Sequence, residues 1–202
     1  MKKRRVLRAG AVFCLVLSIL CVSSCADEKP FERDRTQYFF DTVIKVNVYD
    51  PFTAGYYRQA GRERPDLDGA LDGVMALCRH YEDLFSRTKE GSDVWRINES
   101  GGKPVEVDAE TAELLGTAAG FSEKTDGAFD VTVAPASSLW DFHAENPVLP
   151  DPAAVSAAVE KIGWRHILVE GTSVTAREGA QVDLGGVAKG YIADKAAAYL
   201  RE

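Results

Sequence analysis

Apolar and polar residues alternate from position 42 to 49, with Ile44, Val46 and Val48 on one side, as in a strand with one buried face. From Leu67 the spacing changes to threes and fours. Leu67, Leu71, Val74, Cys78, Tyr81 and Phe85 form the apolar stripe of an amphipathic helix that can lie on that strand's sheet. Ser92 predicts the cap of a short helix through Asn98, and Asp108 the cap of a second long helix ending near Gly127. A strand is expected over 129–133, closed by Pro135, and a loop over 141–150. Asp151-Pro152 has the cap-then-proline form of a helix start, and Gly163 is expected to end that helix. Residues 166–170 and 173–177 flank Gly171 as a β-hairpin. A short apolar strand then ends in Asp183, turns through Gly185-Gly186 and opens a helix from Val187. Hairpins mixed with helices in this order predict an α+β domain, with a mixed or antiparallel sheet packed with helices, rather than a repeating parallel one.

The first residues change the picture of the whole. Lys2, Lys3, Arg4, Arg5 and Arg8 precede an apolar run over 9–21, and Val22-Ser23-Ser24-Cys25 follows. Residues 1–24 are therefore expected to be a lipoprotein signal peptide, with Cys25 the lipidated residue of an exported, membrane-anchored protein. The alternative is a transmembrane anchor, for which the apolar run is shorter than the ~20 residues a bilayer requires. The polar stretch 25–37 then serves as a tether, and 38–202 as the domain. Removing a leader with five basic and no acidic residues takes the formal net charge from −7 to about −12. So acidic a chain is a poor nucleic-acid binder, which needs clustered positive charge. Cys78 is left as the one cysteine of the domain and sits on a helical apolar stripe, so a buried structural thiol is expected in preference to a nucleophile served by His80.

The segment from Val182 to Tyr191 carries the strongest chemical signal. Glycines at the turn let a ligand approach the main chain, and bare N–H groups at a helix start attract anions. Lys189 places a cation at the positive end of the helix dipole, a conflict that a bound phosphate would relieve. The other reading is a tight turn with a solvated lysine. His80, His143 and His166 show no metal-ligand spacing.

These pieces together resemble the FAD:protein FMN transferases, the ApbE family, from about Phe40 to the last residue. The motifs stand in the family's order: Asp41-Thr42-Val43-Ile44; Phe85-Ser86 followed by 92–98; the run 125–135, Thr-Asp-Gly-Ala-Phe-Asp-Val-Thr-Val-Ala-Pro; Leu139-Trp140-Asp141-Phe142; and 182–191. The resemblance implies FAD as substrate with Mg²⁺, and transfer of FMN to a threonine or serine of an acceptor protein with release of AMP. It implies FAD contacts at Phe40, Thr88, Ala128, Phe129, Asp130, Asp183 and Lys189, and a backbone carbonyl offered to the metal by Gly186. Phe40-Asp41 stands where the family often has Met-Gly, and the lysine position is acidic in some members. Against these roles, aromatics beside strands are commonly core, and Asp130 can simply pin a turn.

The family's metal-binding aspartate and threonine, and a histidine near its site, belong to a C-terminal half. Residues 26–202 alone are therefore expected neither to complete the metal site nor to transfer flavin, and the chain reads as the N-terminal part of a longer protein. The implied acceptor is a subunit of a membrane redox complex. Two further readings use the same site: an FAD pyrophosphatase giving FMN and AMP, and a flavin-binding lipoprotein without turnover.

Overall fold

A computed structural model describes residues 31–141 and 144–201. The expected signal peptide, Cys25 as the expected lipidation site, and Phe142 and His143 lie outside the described residues. Strands β1 (Phe31–Phe39) and β2 (Thr42–Asp50) form a two-stranded hairpin. Along β2 the burial alternates residue by residue, with Ile44, Val46 and Val48 half-buried as the pattern predicts. β1 corrects the tether expected over 25–37, since 31–37 are strand. Its run of Glu32, Arg33, Asp34 and Arg35 hides the strand from a hydrophobic pattern, because the backbone of β2 supplies its pairing and most of its side chains face solvent.

The chain divides into two units. The smaller takes the outer end of the hairpin and Asn47–Leu67, including α1 (Ala54–Ala60). Asp50 is buried at its centre and accepts from the Phe52 amide at 2.9 Å and the Tyr57 hydroxyl at 3.2 Å, with Arg64 Nε at 3.5 Å. Arg33 and Arg64 lie over the ring of Phe31, 3.9 and 4.1 Å from its centroid.

The larger unit comprises Arg35–Val46 and the chain from Asp68 onward. Its central helix α2 (Leu67–Phe85) buries Leu71, Val74, Met75, Cys78, Tyr81 and Phe85. α3 (Asp93–Glu99) starts at Ser92, whose hydroxyl accepts from the Trp95 amide at 3.0 Å. The Asp93 carboxylate is buried and receives the Asp108 amide at 2.8 Å and the Thr111 hydroxyl at 2.6 Å, so the start of α3 is tied to the start of α4 (Ala109–Lys124). Strands β3 (Val105–Glu106), β4 (Ile167–Glu170) and β5 (Ser173–Ala176) form an antiparallel sheet in the order β3-β5-β4. The turn at Gly171 has φ 63°, as a hairpin turn allows a glycine. The remaining helices are α5 (Ala134–Ser137), α6 (Pro152–Val159) and α7 (Ala188–Tyr199). Among the described residues no helix is long and apolar enough to cross a membrane. The architecture is α+β with small antiparallel sheets, as expected.

Two strands expected from apolar runs are absent. Residues 129–133 form a turn leading into α5, and residues 182–184 stand outside any ladder; a single parallel bridge joins Val133 to Gln181. Asp130 causes the first difference. Its carboxylate takes the amide and hydroxyl of Thr132, at 2.8 and 2.6 Å, and so spends a donor a strand would need. Asn98 causes the second, because its side-chain amide replaces a neighbouring strand. Asn98 Nδ2 donates to the Val182 carbonyl at 3.0 Å and Asn98 Oδ1 accepts from the Val182 amide at 2.7 Å. The helix start at Asp151-Pro152 holds, but α6 ends at Val159, before Gly163. Gly163 instead precedes a short 3₁₀ turn, Trp164–His166.

α7 is clamped to α2 and α4 by polar groups gathered on Glu110. Glu110 Oε1 accepts from Lys195 Nζ at 2.6 Å, Tyr81 Oη at 3.0 Å and Tyr191 Oη at 3.2 Å. Further along, Tyr199 lies so close to α2 that a Cβ on Gly73 would stand 1.9 Å from its hydroxyl, which accounts for a glycine inside a 19-residue helix. Burial first, then the hydrogen bond to Glu110, pushes the Tyr81 hydroxyl up to about 12. The Lys195 ammonium, helped by the two tyrosines and opposed by burial, holds Glu110 below its usual value.

Two outcomes follow from these contacts. Asn98→Ala leaves the buried Val182 amide and carbonyl without partners, and urea unfolding should show a loss of about 1–3 kcal/mol. The neighbouring exposed change Glu99→Ala should stay within about 0.5 kcal/mol. Tyr81 has its folded-state pKa above the unfolded value, so its contribution is complete below pH ~10 and is lost as pH rises towards 12. Urea midpoints taken from pH 8 to about 11 should therefore fall more steeply for the unsubstituted protein than for Tyr81→Phe; parallel curves would remove Tyr81 from the account.

Candidate functional site

Three segments of the larger unit meet at one cleft: the hairpin tip, the turn after α2, and the chain entering α7. The tip is the two-residue turn Phe40-Asp41, with φ of 51° and 54°. Both values match a type I′ turn, which normally selects Asn-Gly. A phenylalanine there is a conformational outlier that costs on the order of 1–3 kcal/mol. The Phe40 amide is fixed by a 2.8 Å hydrogen bond to Glu82 Oε1.

The turn after α2 is built on Ser86, which is buried. Its hydroxyl accepts from the amides of Thr88 and Lys89 at 3.3 and 3.1 Å, while its carbonyl accepts from the Ser92 hydroxyl. These bonds wrap the chain so that Thr88 Oγ1 reaches Asp41 Oδ2 at 3.4 Å. The third segment is held by Asn98 and by the Asp183 amide, which donates to the Val131 carbonyl at 2.8 Å. Asp183 Oδ1 then accepts from the Gly185 amide at 2.8 Å, and Asp183 Oδ2 lies 3.3 Å from Arg87 Nε. Lys189 relieves its conflict with the helix dipole locally, donating to the Gly185 carbonyl at 3.0 Å.

The cleft so formed is open, about 100 Å³, and lined by Phe40, Asp41, Phe85, Ser86, Arg87, Thr88, Asp183 and Gly185. Of the expected contacts it thus brings together Phe40, Thr88 and Asp183. Lys189 stands behind its wall, joined to it through Gly185. Phe129 lies beside the Gly185-Gly186 turn, where a Cβ on Gly186 would stand 2.9 Å from the ring. Ala128 is exposed on the same loop. Asp130 has the pinning role: besides Thr132, its carboxylate takes the Trp164 amide at 2.9 Å. It thereby sets the loop that carries Ala128 and Phe129.

The cleft also holds residues to which the sequence alone assigns no role. Asp41 and Ser86 stand within motifs of the resemblance and Gly185 within the turn; Arg87 carries no signal beyond lying next to Phe85-Ser86. The lining is chemically mixed. It offers two aromatic rings, two carboxylates, one guanidinium, two hydroxyls and a glycine turn, which suits a ligand with both a ring and charged oxygens.

Cys78 is buried, and burial pushes its thiol up, as for an inert core cysteine. His80 Nε2 lies 3.7 Å from Glu110 Oε2 at the edge of the α7 clamp. Among the described residues no three His, Cys, Asp or Glu side chains gather as a metal cage.

Comparison with known proteins places this geometry in context. The family model of the ApbE family matches residues 40–202. The FAD:protein FMN transferase of Treponema pallidum is 31% identical over 199 residues, covering 93% of this chain and 51% of the relative. That of Klebsiella pneumoniae is 32% identical over 133 residues, covering 64% and 42%. Among solved structures, the ApbE protein of Thermotoga maritima superposes with a TM-score of 0.71 at 28% identity, over 85% of this chain and 52% of that one. The flavin transferase ApbE of Vibrio cholerae gives 0.72 at 24% identity, over 86% and 54%, a likeness of fold. The chain spans about half the length of the curated relatives it matches. With a family model matched along four-fifths of its length, this chain belongs to the ApbE family.

Proposed function

We propose that the protein acts as an FAD:protein FMN transferase, moving FMN from FAD to a threonine or serine of an acceptor protein and releasing AMP. The observation that carries the proposal is the cleft in which Phe40, Thr88 and Asp183 meet beside the Gly185-Gly186 turn, in a chain whose curated relatives bear that activity in their names. Phe40 supplies a face for a flavin or adenine ring, and its strained backbone fits a position retained for contact rather than for stability. Thr88 and Asp183 supply hydrogen bonds to ribityl or ribose hydroxyls. Phe129 and Ala128 extend the wall past Gly186, and Lys189 adds positive charge at the start of α7. Asp130 enters this reading through the loop it pins.

The formal charge of the cleft lining bears on the metal. Asp41 and Asp183 oppose Arg87, leaving one net negative charge where a pyrophosphate carrying two must enter. An accompanying cation removes that repulsion. The Gly186 carbonyl is an oxygen donor of the kind Mg²⁺ takes, and Mg²⁺ commonly binds few protein ligands while keeping substrate oxygens and waters. The donors here suit Mg²⁺ in kind. Bound there, the ion would neutralise charge on the phosphate oxygens. Cys25 as a lipid anchor belongs to the same proposal, with a subunit of a membrane redox complex as acceptor and the exported face of the membrane as the place of reaction.

Asp183→Ala should weaken FAD binding roughly ten- to a hundredfold through loss of a charge-assisted hydrogen bond, while Asp141→Ala leaves it nearly unchanged; titrations giving equal effects would move the ligand out of this cleft. The reaction itself is tested by incubating the full-length protein with FAD, Mg²⁺ and an acceptor protein. The acceptor should gain the mass of one FMN group as AMP appears in equal amount. FMN and AMP with no labelled acceptor would make the protein a pyrophosphatase, and bound FAD with no AMP a flavin carrier.

A further inference from the structure

Arg87 is the cationic side chain in the lining of the cleft, and the geometry points to it as the residue that recognises the phosphates of the flavin nucleotide. This inference rests on the FAD reading above and adds to it the group that separates FAD from an unphosphorylated flavin. A pyrophosphate approaching Asp41 and Asp183 meets like charge, so the lining needs a donor of opposite sign at the same spot. Arg87 stands there, with Nε 3.3 Å from Asp183 Oδ2 and Nη1 donating to Ser138 Oγ at 2.9 Å.

The neighbouring lysines are committed elsewhere. Lys89 sits between Glu82, at 3.6 Å, and Asp83, and those carboxylates raise its pKa. Lys189 donates to the Gly185 carbonyl. Arg87 by contrast faces a single carboxylate and a neutral hydroxyl. A guanidinium carries five N–H donors in a planar fork, and the two contacts engage Nε and Nη1. The same group can therefore keep Asp183 and still meet a phosphate, bridging the carboxylate to the anion. Such a bridge would orient Asp183 and offset its charge at once.

The competing explanation is an ordinary surface ion pair that steadies the turn after α2. The Arg87 side chain is 37% exposed, and pairs of that kind add little to stability. The two explanations diverge in what a substitution changes. A phosphate contact alters the affinity for FAD and not that for riboflavin, which has the same ring and ribityl chain without phosphate. A structural pair alters both affinities or neither.

Flavin fluorescence titrations of the full-length protein and of Arg87→Met and Arg87→Lys, with FAD and with riboflavin, decide between them. Arg87→Met should weaken FAD roughly ten- to a hundredfold and riboflavin by less than about threefold. Arg87→Lys should recover part of the loss, as a point charge without the fork. Thermal midpoints of the variants should stay within about 2–4 °C of the unsubstituted protein. An unchanged ratio of FAD to riboflavin affinity in Arg87→Met would overturn the assignment while leaving the FAD site standing. An unsubstituted protein that does not bind FAD would overturn the site itself, and Arg87 with it.

Discussion

The two-way hydrogen bond between the Asn98 side chain and the backbone of Val182 is the contact on which the site depends. Val182 is fully buried between the Val133–Gln181 bridge and the Asp183 to Val131 bond, outside any ladder, and its own amide and carbonyl would otherwise be orphaned inside the core. Asn98 satisfies both from the last turns of α3, whose start is fixed in turn by Ser92 and by the Asp93 carboxylate that reaches Asp108 and Thr111. One residue beyond Val182 comes Asp183, then the glycine turn, then α7. The orientation of the cleft's carboxylate is therefore set by a polar contact made within an apolar interior. A hydrophobic side chain at 98 would fill the space but leave two backbone groups unpaired.

The same economy appears at the other two walls. Ser86 uses one hydroxyl to gather two amides and its carbonyl to take the Ser92 hydroxyl, so a four-residue turn is rigid without regular structure. Asp130 does the equivalent beneath Phe129, with contacts to Thr132 and Trp164. Short polar side chains that bond their own or nearby backbone make the three loops precise. Helices α2, α4 and α7, joined through Glu110, provide the frame.

This division explains what was legible in the sequence. The stripe from Leu67 to Phe85 and the alternation in β2 are periodic, because each repeats one burial environment along a regular element, and both appear as read. Caps at Ser92, Asp108 and Asp151 are local chemistry and are equally readable. Residues 129–133 and 182–184 misled because apolar runs there are buried by long-range contacts rather than by a ladder; the partners, Trp164 and Asn98, are distant in sequence. β1 misled for the opposite reason, since backbone pairing sustains a charged strand that periodicity cannot register. Phe40 and Thr88 are implied only by the resemblance, whereas Asp183 also stands in the glycine-turn segment that the residues themselves mark. Arg87 was missed on both grounds, because its meaning comes from the carboxylate it meets across 96 positions of sequence.

The hairpin tip shows how far structure and function pull apart. A two-residue turn with positive φ at both positions is easily made by Asn-Gly, yet this chain places Phe40-Asp41 there. The backbone cost falls on a residue whose ring lines the cleft and whose neighbour accepts the Thr88 hydroxyl. Glu82 and the paired strands hold the tip in place, so the strain is sustained by contacts outside it. Folding alone gives no reason to keep a bulky residue in that conformation. A ligand stacked on Phe40, as the proposed function requires, would supply one, and would tie the strained turn, the Asp183 segment and the loop after α2 to one role.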